Sequence, residues 1–404
     1  MAALFPFAAL RPTPATVSRV AAVPYDVVNS DEARALAGDD PLSFLRVSRP
    51  EIECSPGTPI YSDEVYQRAS DNFDRLRRQA PLVIEDTPSL YVYQLHMGGH
   101  VQTGVAACYA VDEYARGLIK KHELTRPDKE DDRTRHILTL RAQTGPVFLT
   151  YRASAAVDAV VAAVTSGPPL FDFTAADGVR HVVWRAADAA AVTLVAAFAA
   201  VPALYIADGH HRAASAWRTH QQLAAEGPGE HERFLAVAFP DAQMQVLPYN
   251  RVVRDLQGMT AAAFTDAVAA KVTVTPGGPA TPARKGLVAM YLGGQWSTLD
   301  FGAPPAGLPV DAALDVSRLE DVVLGSLLGI HDVRTDKRID FVGGIRGTAE
   351  LERLVDSGAF AVAFSLFPVS VDDLMRISDA GGIMPPKSTW FEPKLRDGVL
   401  SHLV

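Results

Sequence analysis

The sequence predicts an α+β fold of mixed sheets with hairpins and packed helices. Hairpin-type turns join strand-like runs, helical patterns fall between them, and the strict strand–helix alternation of a doubly wound parallel sheet is missing. Met97-Gly-Gly-His100 separates two apolar runs as a hairpin turn does, and Asp177-Gly178 leads into another run at 179–184.

In chain order, the first segment (Met-Ala-Ala-Leu-Phe-Pro-Phe) is apolar but has no basic flank and an early proline. It reads as a buried strand or loop, not a signal peptide. Helical patterns follow at 62–79, 127–142, 154–165, 211–226, 260–272, 316–328 and 371–378. In the first of these, Val65, Ala69, Phe73 and Leu76 recur at near-helical spacing between charged residues. Strand-like runs occupy 90–95, 101–111, 147–151, 235–239, 287–292 and 360–364. Residues 189–207 carry no charge, a length that would license a membrane span. Alanine richness, Pro202 and the flanking Asp188 and Asp208 favour a buried helix at 188–200, N-capped by Asp188, feeding a strand at 203–207. No membrane partner is expected. Gly277-Gly-Pro-Ala-Thr-Pro282 is the clearest linker-like cluster, or else a loop between elements.

At 404 residues the chain exceeds one ordinary domain, given about 150 residues per domain. The expected division is a catalytic region over 1–258 and a second α+β region over 259–404, whose last loop can return to the site. Lys plus Arg is 38 and Asp plus Glu is 47, so the net charge is −9, which opposes nucleic-acid binding. Two unpaired cysteines, Cys54 and Cys108, argue against a disulfide scaffold and fit a cytoplasmic protein. A homo-oligomer is compatible with all of this.

The most informative stretch is Ala203-Leu-Tyr-Ile-Ala-Asp-Gly-His-His-Arg212. An apolar run stops at Asp208-Gly209 and a helix-compatible segment begins, which reads as strand, tight turn and helix start. Free N–H groups and the helix dipole attract anions there, and Gly209 allows close approach. Asp208 offers a metal or proton ligand, His210 and His211 two imidazoles, and Arg212 a phosphate fork. The plainer reading is a turn decorated with surface histidines.

A second cluster runs from Lys120 to His136. Pro127 favours a helix start, so Lys129 and Arg133 share a face and Glu123 stands just before it. These residues suit a phosphate clamp with a general base; a solvated charged helix is the alternative. Asp26, in Pro24-Tyr-Asp-Val-Val28, is a base or a turn former. Lys387 and Lys394 lie in Pro385-Pro-Lys-Ser-Thr-Trp-Phe-Glu-Pro-Lys394, a proline-stiffened loop able to bind an anion. Gly343-Gly344-Ile-Arg-Gly347 lacks dinucleotide spacing, and neither a phosphate-loop lysine motif nor a glycine-flanked nucleophilic serine occurs.

These four clusters, in their order along the chain, resemble the prokaryotic family catalogued as "domain of unknown function 1015". The Asp-Gly-His-His-Arg unit also resembles the nucleotide-binding motif of the ParB and sulfiredoxin superfamily, which includes free serine kinases. That resemblance implies a ParB/sulfiredoxin-like nucleotide-binding unit in which Asp208, Gly209, His210, His211 and Arg212 hold the phosphates of ATP or ADP with Mg²⁺. It does not transfer the base; Glu123 and then Asp26 are the candidates. The function expected is a nucleotide-dependent kinase acting on the hydroxyl of a small metabolite such as free serine. A metal-dependent phosphoester hydrolase, with Asp208, His210, His211 and His122 as ligands, and a non-catalytic nucleotide-binding switch are the alternatives.

Overall fold

The computed structural model describes residues 2–79 and 82–404, so Met1 lies outside them. The chain forms two compact units. One runs up to Met244 and takes back Pro393–Val404; the other is Gln245–Glu392.

The first unit is built on a nine-stranded mixed sheet. Its strands are β1 (Leu4–Phe5), β2 (Leu90–Met97), β3 (His100–Ala110), β4 (Ile119–Lys120), β5 (Val147–Tyr151), β6 (Phe171–Thr174), β7 (Arg180–Ala186), β8 (Leu204–Asp208) and β9 (Arg233–Pro240). They lie in the order β4-β8-β5-β9-β3-β2-β7-β6, with β1 beside β3. Pairs β8–β4 and β9–β5 are parallel and the rest antiparallel. Both predicted hairpins are present: Met97 pairs with His100, and β6 pairs with β7 across the Asp177-Gly178 turn. Strand β5 is buried along its whole length, as a mid-sheet strand covered on both faces must be.

Three helices matter for the site: α1 (Asp63–Gln79), α2 (Pro127–Leu140) and α3 (His210–Leu223). In α1, Val65, Ala69, Phe73 and Leu76 turn inward, the stripe that the spacing predicts. Helix α2 starts at Pro127, whose missing N–H costs nothing in a first turn. The uncharged stretch forms a helix at Asp188–Phe198. Asp188 does not cap it: Ala187 holds the cap position, no side chain bonds there, and Asp188 itself has φ 49°. Among the described residues, no helix is long and apolar enough to cross a membrane.

The second unit has a six-stranded antiparallel sheet. Its strands are β10 (Tyr249–Val253), β11 (Thr273–Pro276), β12 (Leu287–Leu292), β13 (Gln295–Asp300), β14 (Ile339–Gly343) and β15 (Val362–Leu366), in the order β11-β13-β12-β15-β10-β14. Strand β10 already pairs with β14 and β15, so the chain has entered this sheet well before residue 258, where the sequence placed the boundary. The 277–282 cluster is the loop between β11 and β12, not a linker between domains. The helix expected over 316–328 is α-helical only at Asp315–Leu319 and continues as a π-helical turn at Glu320–Gly325.

Gly104 in β3 shows how tightly the first sheet packs. A Cβ there would lie 2.8 Å from the Ala238 carbonyl oxygen and 2.8 Å from the Phe239 ring. The Gly104→Ala variant is expected to lose about 1–3 kcal/mol of stability through overpacking. Urea unfolding checks this, and an unchanged midpoint would show that the sheet yields freely.

Candidate functional site

Strand β8 brings buried Leu204, Tyr205, Ile206 and Ala207 into the sheet core and ends at Asp208. Its register against β5 shifts between Ile206 and Asp208, the kind of irregularity that re-aims side chains beside functional sites. Gly209 then adopts φ 91°, ψ 31°, a left-handed conformation costly for other residues. A Cβ there would also meet Arg212 Nε at 2.9 Å. Helix α3 opens at His210, and its N-cap is Gly209, which has no side chain to cap the first turn. The predicted strand–glycine–helix turn is therefore present, with its backbone donors uncapped.

Arg212 is buried at the heart of this turn. Its Nη2 lies 2.9 Å from Asp208 Oδ2 and 3.7 Å from Asp26 Oδ2, and Nη1 donates to the Pro146 carbonyl. Its Nε has no hydrogen-bond partner among the described residues. Burial disfavours the charged guanidinium, but Asp26 and Asp208 outweigh it and raise its pKa. Burial likewise pushes Asp208 up, while Lys394, Arg212 and His210 together hold its carboxyl well below the usual range. Lys394 Nζ is 3.6 Å from Asp208 Oδ2. The carboxylate proposed from sequence as a metal ligand is thus already balanced by two cations.

Asp397, three residues past Lys394, was not singled out in the sequence. It lines a small cavity with Tyr25, Arg133, His136, Gly145 and Arg212. Burial pushes its carboxyl up to about 7, with Arg212 opposing and Asp26 reinforcing the rise, and Oδ1 has no partner among the described residues. The chain passes closely here, since a Cβ on Gly145 would lie 2.6 Å from that oxygen. No spacing rule links residues 26, 145, 212 and 397, so only the folded chain shows the cluster.

On the other side of the turn, His122 and His210 meet edge to face with ring centroids 4.5 Å apart. The His122 backbone N–H reaches His210 Nε2 in a long hydrogen bond of 3.5 Å. Burial lowers His122 to about 4 and His210 well below its ordinary value, His122 adding to the latter, so both rings are neutral at pH 7. Glu123 adjoins both: one ligand atom from each of His122, Glu123 and His210 lies within 4.8 Å of the others. His211 is half-buried and its Nε2 accepts the Arg126 N–H at 3.0 Å.

The remaining candidates are engaged elsewhere. Lys129 donates to the Tyr61 hydroxyl at 2.8 Å. Arg133 pairs with Asp132 at 2.8 Å and stacks 4.2 Å from the Tyr25 ring, so the shared α2 face is committed to packing rather than to an open clamp. Lys387 belongs to the second unit, where its Nζ lies 5.5 Å from the Tyr249 ring centroid.

Two outcomes test this geometry. Arg212→Ala removes a buried cation from half-buried Asp208 and exposed Asp26 and should cost about 1–3 kcal/mol, and Arg212→Lys should not restore it, because one ammonium cannot replace the fork. Calorimetric unfolding reads both, and a neutral result would mean that the cluster is solvated. Asp397 has a folded-state pKa of about 7, above that of an exposed aspartate, so its contribution is complete below about pH 4 and is lost as pH rises through about 7. Wild type should therefore lose stability relative to Asp397→Asn across that window, by at most about 1.4 kcal/mol per pH unit. Parallel pH profiles would place the Asp397 pKa near its ordinary value.

No curated protein matches the chain. Among solved structures, C-terminally truncated SbnI from Staphylococcus aureus is similar at 14% identity and a TM-score of 0.39, over 72% of this chain and 85% of its own. A free serine kinase variant in complex with AMP is similar at 12% identity and a TM-score of 0.36, over 72% and 92%. A conserved hypothetical protein from Pyrococcus furiosus is similar at 15% identity and a TM-score of 0.35, over 74% and 95%. The family described as "Protein of unknown function (DUF1015)" matches residues 4–317, a span that holds Asp26, His122, Glu123 and the whole Asp208–Arg212 turn. The chain belongs to the DUF1015 family.

Proposed function

We propose that this site binds the phosphates of a nucleotide, ATP or ADP with Mg²⁺, and transfers a phosphoryl group to the hydroxyl of a small metabolite such as free serine. The observation that carries the reading is the uncapped start of α3 behind Gly209, with Asp208 neutralised by Arg212 and Lys394. Unpaired N–H groups and the helix dipole draw phosphate oxygens, and a neutralised carboxylate does not repel them.

Each residue then has a task. Gly209 and the first turn of α3 hold the phosphates. Lys394 stands beside them, while Arg212 acts from below, fixing Asp208 and the turn. His211 ties the turn to the Arg126 backbone. Glu123 is the base. The substrate oxygen forms a bond to the terminal phosphorus, the bond from that phosphorus to the nucleotide oxygen breaks, and the hydroxyl proton passes to Glu123. Such a transfer depends mostly on positioning and charge neutralisation. Asp26, held near Arg212, is the second choice for the base.

Thermal shift with ATP, ADP, CTP and GTP, with and without Mg²⁺, tests the reading. A nucleotide at about 100 times its Kd should stabilise the fold by about 2.7 kcal/mol. Glu123→Gln should keep that shift while turnover of hydroxylated metabolites falls by about 100-fold or more. No shift with any nucleotide overturns the proposal, and full activity in Glu123→Gln removes Glu123 as base.

A further inference from the structure

We infer that His122, Glu123 and His210 form a binding site for one divalent transition-metal ion of the zinc type, beside the phosphate turn. Nothing in the nucleotide reading requires this site, and it stands if no nucleotide binds.

Geometry comes first. The three residues reach the site from two segments, the 122–123 stretch after β4 and the first turn of α3, and β4 is held parallel to β8 by backbone pairing. Their ligand atoms lie within 4.8 Å of one another. A tetrahedral ion with bonds of about 2.1 Å needs its ligands about 3.4 Å apart. Side-chain movement of about 1.4 Å would close the set, with His210 either ligating through Nδ1 or releasing the long His122 N–H bond at Nε2.

The second observation is the state of His122. The side chain is only 2% exposed, yet Nδ1 has no hydrogen-bond partner among the described residues. A buried ring nitrogen without a partner is costly. An open, buried imidazole nitrogen next to a second imidazole and a carboxylate is a donor that a metal ion would satisfy.

Donor chemistry selects the ion. Two imidazoles and one carboxylate suit zinc and its neighbours, whereas Mg²⁺ prefers oxygen ligands and water. Three protein ligands leave at least one position open, as in catalytic zinc sites.

The test uses the whole chain, stripped with chelator and free of nucleotide. Titration with Co²⁺ should produce a visible absorption band that saturates at one equivalent, and Zn²⁺ should displace it. Excess Mg²⁺ should not. His122→Ala and His210→Ala should each weaken binding at least tenfold, while His231→Ala, which alters the separate His220–His231 pair, should leave it unchanged. Thermal unfolding identifies any variant that fails to fold, and Glu123→Gln then serves as a third, nearly isosteric probe with the same expected loss. Absence of a saturable band overturns the inference, as does binding that survives substitution of the ligands or is lost with His231.

Discussion

Burying the Arg212 guanidinium imposes a condition on much of the first unit: its charge must be met by fixed partners, because removing one partner of a buried ion costs several kcal/mol. The partners come from distant parts of the chain. Asp26 arrives from the turn after Pro24, the Pro146 carbonyl from just before β5, Asp208 from the end of β8 and Asp397 from the returning tail. Lys394 adds a second cation at Asp208. With Asp397 pushed towards its neutral form, two cations face two carboxylates. That balance, with Asp26 exposed and Asp208 half-buried, makes it tolerable to bury the Arg212 guanidinium beside them.

The balance also divides labour at the turn. Side chains below it are spent on one another, so a ligand would meet chiefly backbone N–H groups, Lys394 and the His122–Glu123–His210 face. The two imidazoles carry no charge of their own at pH 7 because burial favours the neutral ring. A polar face of this kind suits a ligand that brings its own charge.

In the second unit, Arg251 is fully buried and burial lowers its pKa to about 10, with Glu320 opposing. It donates to the carbonyls of Tyr249 and Lys387 and stands 3.5 Å from Glu320, which the π-helical turn carries. Lys387 has φ 58°, so the proline-rich segment around it is shaped by a buried cation as well as by its prolines. The sequence showed the prolines and lysines of that segment but had no means of showing Arg251 as their anchor.

Local signals were legible because they are written in neighbouring residues. Helical spacing marks α1, Pro127 opens α2, a Gly-Gly pair and an Asp-Gly pair mark the two hairpins, and an apolar run ending in Asp-Gly marks the β8–α3 turn. The sequence grouped His122 with His210 only within a broader ligand set; their direct ring contact depends on parallel pairing of β4 with β8. The division at Met244 was not legible, because β10 joins a sheet whose other strands lie far downstream. By itself the sequence determined the mixed α+β class, the strand–glycine–helix turn and the residue types gathered there, since backbone preference and side-chain chemistry are local properties. Only the tertiary structure decided which charges meet: it turned Arg212 and Arg133 inward to carboxylates, placed Lys387 in the second unit and brought Asp397 back to residue 212. Burial sets the cost of each unpaired charge, and long-range packing alone determines what is buried beside what.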